Sequence, residues 1–174
     1  MNSGDHFYSN TVLEENHSCI KTFDLIYFNL QIVENQISFL KKYPDQLSFS
    51  YFVKDTLPHS ATFIKATLFD KVGMYDERLK IISDWKFFIE GIFKWNATYN
   101  KIDAVLSIFY FDGISSDSAN SDLLYQERQS VLKTTFKGYI NEINELIVLR
   151  IIVSNFRKSR IIKLLVKLGL LNKF

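Results

Sequence analysis

The seven residues Ile82–Phe88 contain the carboxylate that is best placed for acid–base chemistry. Ser83 is predicted to cap the N-terminus of a helix, and Asp84 then falls in its first turn, where the helix dipole favours a negative charge. Apolar residues follow at helical spacing and predict one broad buried face: Trp85, Phe88, Ile89, Ile92 and Phe93. A carboxylate held beside a cavity at such a helix start can act as a general base. The alternative is that Asp84 only completes the helix start.

The segments that must position Asp84 are predicted to be a mixture of strands and helices. This mixture predicts an α/β fold. Short segments with alternating or aromatic residues predict strands: Phe23–Phe28, closely joined to a partner at Leu30–Val33, then Ala61–Ile64, Thr98–Lys101 and Val105–Phe111. Helices are predicted at Thr11–Glu15 and at Lys65–Val72, with Gly73 ending the second. Ile37–Tyr43 fits a strand or a helix, and Gln46–Lys54 fits a short helix or an irregular segment.

From Asp117 onward the sequence changes character. A polar linker is followed by three segments with helical periodicity: Asp122–Gly138, Tyr139–Phe156 and Arg157–Leu171. In the last segment Arg160, Lys163 and Lys167 share one face, and the opposite face is apolar: Ile161, Leu164, Leu165 and Leu168. Such a helix can lie on an anionic membrane surface, or it can pack on the domain with its lysines in water.

Composition narrows the class of protein. The chain has 174 residues and is 47% hydrophobic and 16% aromatic, so it can bury a sizeable core. A net charge of +2 is too small to indicate a nucleic-acid partner. The single Cys19 excludes an internal disulfide and favours a reducing compartment, so we predict a cytoplasmic protein, with contact to the inner face of the membrane through residues 157–174 as a further option.

The order of several short motifs resembles one enzyme family. Read from residue 58, the chain contains PH-x-x-TFI, LF-x-x-VG-x-YDE, SDW-x-FF and GIS, the last at Gly113–Ser115. This order resembles the C-terminal half of bacterial family-2 glycosyltransferases, which have the GT-A fold. The resemblance covers residues 1–116 and implies a partial GT-A-like mixed sheet with flanking helices, the acceptor half of the domain, followed by a helical C-terminal extension at residues 117–174.

The resemblance also implies roles for particular residues. Asp84 of the SDW motif would be the catalytic base. Asn2 and Asp5 of the sequence Asn-Ser-Gly-Asp resemble the family's metal-binding element, so Asp5 would hold Mn²⁺ or Mg²⁺ at the donor diphosphate. Four further residues would lie near substrate: His59, Trp85, Gly113 and Ser115. On the residues alone, the alternatives are that His59 is a structural histidine, that Trp85 is a core residue, and that the first residues are a polar, frayed terminus.

The implied activity is inverting transfer of a sugar from a nucleotide-sugar donor to a glycan or lipid-linked acceptor, in the synthesis of cell-surface polysaccharide. The family's nucleotide-binding half would precede Asn2, and only Met1 does. We therefore expect a truncated enzyme that binds nucleotide-sugars weakly on its own. The alternative is a non-catalytic remnant or partner subunit that acts through protein or membrane-surface interactions.

Overall fold

The described part of the chain has an α/β fold in which helices flank a mixed sheet of five strands. The computed structural model describes residues 5–19, 23–34, 37–110 and 118–172. Within these, the strands are β1 (His6–Phe7), β2 (Leu25–Glu34), β3 (Ile37–Lys41), β4 (Thr62–Ile64) and β5 (Tyr99–Tyr110). The helices are α1 (Val12–Asn16), α2 (Phe49–Lys54), α3 (Ala66–Val72), α4 (Ser83–Phe93), α5 (Ser121–Thr135), α6 (Lys137–Lys158) and α7 (Arg160–Lys167). The predicted α/β class and mixed sheet are confirmed.

Strand β2 is the centre of the sheet. It pairs in parallel with β5 along one edge, where Leu25 lies opposite Tyr99. Along its other edge it pairs antiparallel with β4 at its start and with β3 at its end. The first six residues of β2 are buried, as expected for a strand with neighbours on both edges and helices on its faces.

The two strands predicted at Phe23–Phe28 and Leu30–Val33 are one continuous strand, so that prediction is wrong. The residue between them, Asn29, resembles a turn residue in the sequence but lies buried inside β2. Its side-chain amide donates to Oδ1 of Asp103 at 2.8 Å, and its carbonyl oxygen accepts from the backbone N–H of Tyr43 at 3.2 Å. Because both polar groups have partners, the asparagine does not interrupt the strand.

The strands predicted at Thr98–Lys101 and Val105–Phe111 are likewise one strand, β5. The register between β2 and β5 shifts twice around Asn29, so β5 holds extra residues where the two predictions left a gap. Asp103 lies in this irregular part of β5 and accepts the hydrogen bond from Asn29. A bulge of this kind keeps a strand paired on either side of polar residues that would otherwise suggest a turn.

The shorter predicted elements are largely confirmed. The sequence allowed a strand or a helix at Ile37–Tyr43, and residues 37–41 form the strand β3. The segment predicted as a short helix or an irregular stretch after Gln46 contains the helix α2. Ser48 caps α2 by accepting from the backbone N–H of Tyr51 at 3.1 Å. Gly73 ends α3 with a φ of 95°, a conformation in the positive region that favours glycine.

The chain divides into two compact units, Met1–Val131 and Leu132–Phe174, and the division falls within α5. The predicted domain boundary between residues 116 and 117 lies outside the described residues and stays a prediction. In the second unit the predicted break at Gly138 is wrong, because Gly138 lies inside α6 and the non-helical residue is Phe136. The third predicted helix starts later than expected, since α6 continues to Lys158 and Ser159 then caps α7. Across the described part of the chain, no helix is both long and apolar enough to cross a bilayer.

Candidate functional site

The first unit contains a cavity of about 260 Å³ whose wall carries several titratable side chains. Four elements each contribute one of these side chains: helix α4, the turn before β4, helix α5 and the segment before β1. These four residues are Asp84, His59, Arg128 and Asp5. The structure therefore brings three of the sequence-predicted site residues, Asp84, His59 and Asp5, to the wall of one cavity.

Asp84 lies in the first turn of α4 and is only partly exposed. Its Oδ1 accepts from the backbone N–H of Trp85 at 2.7 Å. Burial raises the pKa of Asp84 above its ordinary value, while this hydrogen bond and the nearby side chains of His59 and Arg128 pull it back down. A carboxylate with a raised pKa is a stronger base at neutral pH than an exposed aspartate, which suits proton abstraction.

Helix α4 is fixed by a deep aromatic core. Trp85 is 1% exposed, and its indole N–H donates to the backbone carbonyl of Phe52 at 2.8 Å. The Phe52 ring is itself fully buried and lies edge-on to Phe93, with ring centroids 5.9 Å apart. The structure thus places Trp85 in the core, one of the two positions that the sequence allowed. This packing holds the first turn of α4, and with it Asp84, in one place.

The predicted N-cap of α4 is wrong. Ser83 is the first helical residue, the cap position is Ile82, and no side chain caps the helix there. Just before the helix, three backbone N–H groups donate to the Glu127 carboxylate: that of Lys80 at 2.8 Å, that of Ile81 at 3.2 Å and that of Ile82 at 3.4 Å. This long-range glutamate holds the segment that leads into the helix, and a local sequence pattern cannot reveal such a partner.

Glu127→Ala is expected to lower the free energy of unfolding by about 1–3 kcal/mol, because it leaves these N–H groups without their acceptor. It should also loosen the start of α4 on which Asp84 lies. Urea unfolding followed by tryptophan fluorescence measures the change. Glu77→Ala, at an exposed glutamate in the preceding loop, is the matched control. Equal stability of the two variants would contradict the role given to Glu127.

His59 begins the 3₁₀ turn of residues 59–61 that leads into β4. This turn is attached to the sheet by the hydroxyl of Ser107 in β5, which donates to the carbonyl of Ser60 at 3.0 Å. The imidazole lies edge-on to Tyr75, with ring centroids 6.1 Å apart. His59 therefore both packs on an aromatic side chain and faces the cavity, so the two interpretations of this histidine are not exclusive.

Asp5 reaches the cavity because β1 pairs with β5. His6 lies opposite Ile108, and the backbone N–H of Tyr8 donates to the carbonyl of Leu106 at 2.9 Å. This register places Asp5 beside Phe109, which also lines the cavity. Asn2, which was predicted with Asp5, lies outside the described residues, as do Gly113 and Ser115 and the turn predicted to close over the site.

Arg128 is a cavity residue that the sequence did not reveal. It lies on α5, one residue after Glu127, and its guanidinium stacks over the Trp85 ring at 5.2 Å from the ring centroid. Its Nη1 donates to the carbonyl of Lys54 at 3.3 Å. Burial lowers the pKa of Arg128, and the charges of Asp55 and Asp84 oppose that shift. Helical periodicity predicted the helix, but no sequence pattern shows which side chain of an appended helix enters a site.

Further polar wall residues come from β3 and from the segment after α2. Lys41 pairs with Asp55 at 2.9 Å, and Asp55 also accepts from the backbone N–H of Thr56 at 2.9 Å. Two polar atoms in the cavity wall, Oγ1 of Thr56 and Nε of Arg128, are buried and have no hydrogen-bond partner among the described residues. Because both atoms have almost no accessible surface, they lie behind the surface of the cavity and not on it.

The donor chemistry of the cavity limits the kind of metal site it could form. Among the described residues, no group of three or more His, Cys, Asp or Glu side chains could hold an ion by itself. Mg²⁺ is often bound by only one or two carboxylates, with substrate phosphates and water completing its octahedron. Asp5 fits that kind of site, and it does not fit an all-protein cage.

Comparison with protein-family models finds no match to this chain, and comparison with curated proteins also finds none.

Proposed function

We propose that the protein acts as an inverting glycosyltransferase of family-2 type. Its active site would be the cavity of the first unit. The observation that supports this most is that Asp84, His59 and Asp5 line one cavity although they lie far apart in the sequence. Their motifs are the ones on which the resemblance to that family rests. The donor would be a nucleotide-sugar, and the acceptor a glycan or lipid-linked sugar of cell-surface polysaccharide.

In this proposal Asp84 is the general base. It takes the proton from the acceptor hydroxyl as that oxygen attacks the anomeric carbon. The bond to the nucleoside diphosphate breaks in the same step, and the anomeric configuration inverts. No covalent intermediate forms, so the reaction requires no serine, cysteine or lysine nucleophile. The raised pKa of Asp84 supports this role, because a base is most effective when its pKa is close to the working pH.

Asp5 is the residue that would hold Mn²⁺ or Mg²⁺, in a coordination shell completed by the donor phosphates. When bound, such an ion neutralises charge on the departing diphosphate. The pairing of β1 with β5 positions Asp5 at the cavity whose wall also carries Asp84.

Asp5→Ala is expected to lower transfer by on the order of a hundredfold and to remove its dependence on divalent cations, since a metal ion contributes several kcal/mol to charge stabilisation. Release of nucleoside diphosphate, measured with and without a chelator, checks this. Asp70→Ala, at an exposed aspartate on α3, is the control and should keep the metal dependence. Activity of the unaltered protein that is insensitive to chelators would contradict the metal assignment.

The proposed function itself is tested by incubating the protein with millimolar UDP- and GDP-sugars and glycan or lipid-linked acceptors. Transfer with release of nucleoside diphosphate is expected for one donor. NMR of the product should show an anomeric configuration opposite to that of the donor sugar. Retention of configuration, or a sugar covalently attached to the protein, would exclude the mechanism. Absence of release with every donor and acceptor would count against the enzyme.

A second function, attachment to a membrane surface, is favoured by the second unit. Helix α7 and the residues after it expose large apolar side chains: Ile161, Leu164, Leu168, Leu170 and Leu171. Residues 157–174 carry six basic residues and no acidic one: Arg157, Lys158, Arg160, Lys163, Lys167 and Lys173. An exposed apolar face beside an acid-free basic face is typical of helices that lie in the interface of anionic bilayers.

A further inference from the structure

Helix α6 of the second unit carries a stripe of exposed apolar side chains. Leu146, Leu149, Val153 and Phe156 follow one another at alternating intervals of three and four residues, which places them on one side of the helix. Their exposed fractions are 56%, 55%, 38% and 50%. A helix in water normally buries such a stripe against another element, and the described part of the chain leaves this α6 stripe largely uncovered.

Exposure alone does not single out this face, because Val148 and Ile151 on the other side of α6 are 55% and 56% exposed. Two properties distinguish the α6 stripe. Its alternation of three and four residues is the spacing with which two helices interlock their side chains. A groove of about 390 Å³ also follows the stripe, and its wall consists of Leu146, Leu149, Val153, Ser154 and Arg157. The stripe therefore has both the spacing and the groove that a second helix requires.

Charged residues at the two ends of the α6 stripe indicate which helix fits. Exposed Glu142 and Glu145 precede the apolar residues, and exposed Arg157 and Lys158 follow them. We propose that α6 pairs in antiparallel orientation with α6 of a second copy of this chain. In that orientation the acidic end of each helix lies beside the basic end of the other, whereas a parallel pair would bring like charges together.

The apolar residues of the two copies then match along the stripe. Leu146 of one helix faces Phe156 of the second copy, and Leu149 faces Val153, so all four residues of each stripe are covered. The opposed helix dipoles add to the match of charge. A lipid surface matches the stripe less well, since Glu142 lies in line with its apolar residues and would meet anionic headgroups. This pairing concerns the second unit and does not require that the protein be a transferase.

The experiment is analytical ultracentrifugation of the full 174-residue protein in lipid-free buffer over a range of concentrations. A reversible monomer–dimer equilibrium in the micromolar range is expected, because a single pair of helices makes a small interface. Changing Leu146 and Leu149 together to glutamine should weaken dimerisation by at least about tenfold, since it removes two buried leucines per copy. The matched control changes Val148 and Ile151 to glutamine, at equal exposure on the same helix, and should dimerise as the unaltered protein does.

A charge exchange tests the orientation of the two helices. Glu142→Arg alone should weaken dimerisation severalfold, because it places a positive charge beside Arg157 of the second copy. Adding Arg157→Glu to the same chain should restore the affinity. Within one helix these two residues are about 22 Å apart, so the restoration has to come from a contact between copies.

Three results would each overturn the proposal. The first is a protein that remains monomeric at every concentration, and the second is a leucine variant that dimerises like the unaltered protein. The third is a charge exchange that does not restore affinity, which would exclude the antiparallel pair. If the protein is monomeric but binds vesicles, and the leucine variant does not, the α6 stripe belongs to a lipid surface.

Discussion

Asp84→Asn is expected to lower sugar transfer by about a hundredfold or more and, at the same time, to make the folded protein more stable at neutral pH. The first effect is the usual contribution of a positioned general base. The second follows from burial, which makes the ionised carboxylate unfavourable in the cavity wall. Asparagine keeps an oxygen that can accept from the Trp85 N–H and carries no charge. Transfer rates and melting temperatures of the two proteins measure both effects.

The stabilisation should depend on pH in a defined direction. Because the pKa of Asp84 is raised by folding from an ordinary value of 3.8, its contribution to stability is complete below about pH 3.8 and is lost as pH rises through the folded-state pKa. The asparagine variant does not ionise, so its advantage should be present at neutral pH and absent in acid. Asp70→Asn, on the exposed side of α3, should show neither effect. A variant that keeps full turnover would leave Asp84 as only a helix-start residue.

Deletion of residues 157–174 is expected to abolish binding to anionic vesicles in a flotation assay. Each basic residue close to an anionic surface contributes on the order of 1 kcal/mol, and the contribution weakens as salt screens it. The exposed apolar side chains of α7 add burial at the level of the headgroups. Binding should therefore require anionic lipid and decrease with added salt.

A variant of unchanged length tests the contribution of charge separately from that of the apolar side chains. Changing Arg160, Lys163 and Lys167 to glutamine keeps the helix and its apolar residues and removes half of the segment's positive charge. It should bind anionic vesicles much more weakly. Equal flotation of the unaltered, deleted and neutralised proteins, or no flotation of the unaltered protein, would show that the second unit does not attach to membranes by this route.

The sequence predicted elements well where a local signal decides them, and failed where a distant partner does. Gly73 ends α3 as expected, because a positive φ is a local requirement. The predicted strands end on either side of Asn29, and nothing in the neighbouring sequence shows that Asp103 and the Tyr43 N–H satisfy its amide. Ser83 was predicted to cap α4, but the segment before the helix is held by Glu127 of another helix, and nothing near Ser83 in the sequence shows that partner.

The candidate site follows the same rule. Asp84, His59 and Asp5 were predicted from motifs, and the structure places all three at one cavity. Arg128 and Thr56 were not predicted. Arg128 lies at the cavity because of the direction in which α5 presents it, and Thr56 because of the place that the segment after α2 takes in the fold. Both are properties of tertiary packing, which a single sequence does not display.

The parallel pairing of β2 with β5 has a consequence for the order in which the protein folds. β2 pairs with β3 across a short connection and with β4 across a longer one that contains β3 and α2. Its partner β5 begins 74 residues after it, as the separation of the bonded pair Asp24 and Thr98 shows. Closing a loop of that length costs entropy before any pairing compensates it, so we expect β5 to join the sheet late. β1 depends on β5, and Asp5 depends on β1. The cavity should therefore be completed in one of the last folding steps, and a chain whose sheet lacks β5 would fold to a core without a site.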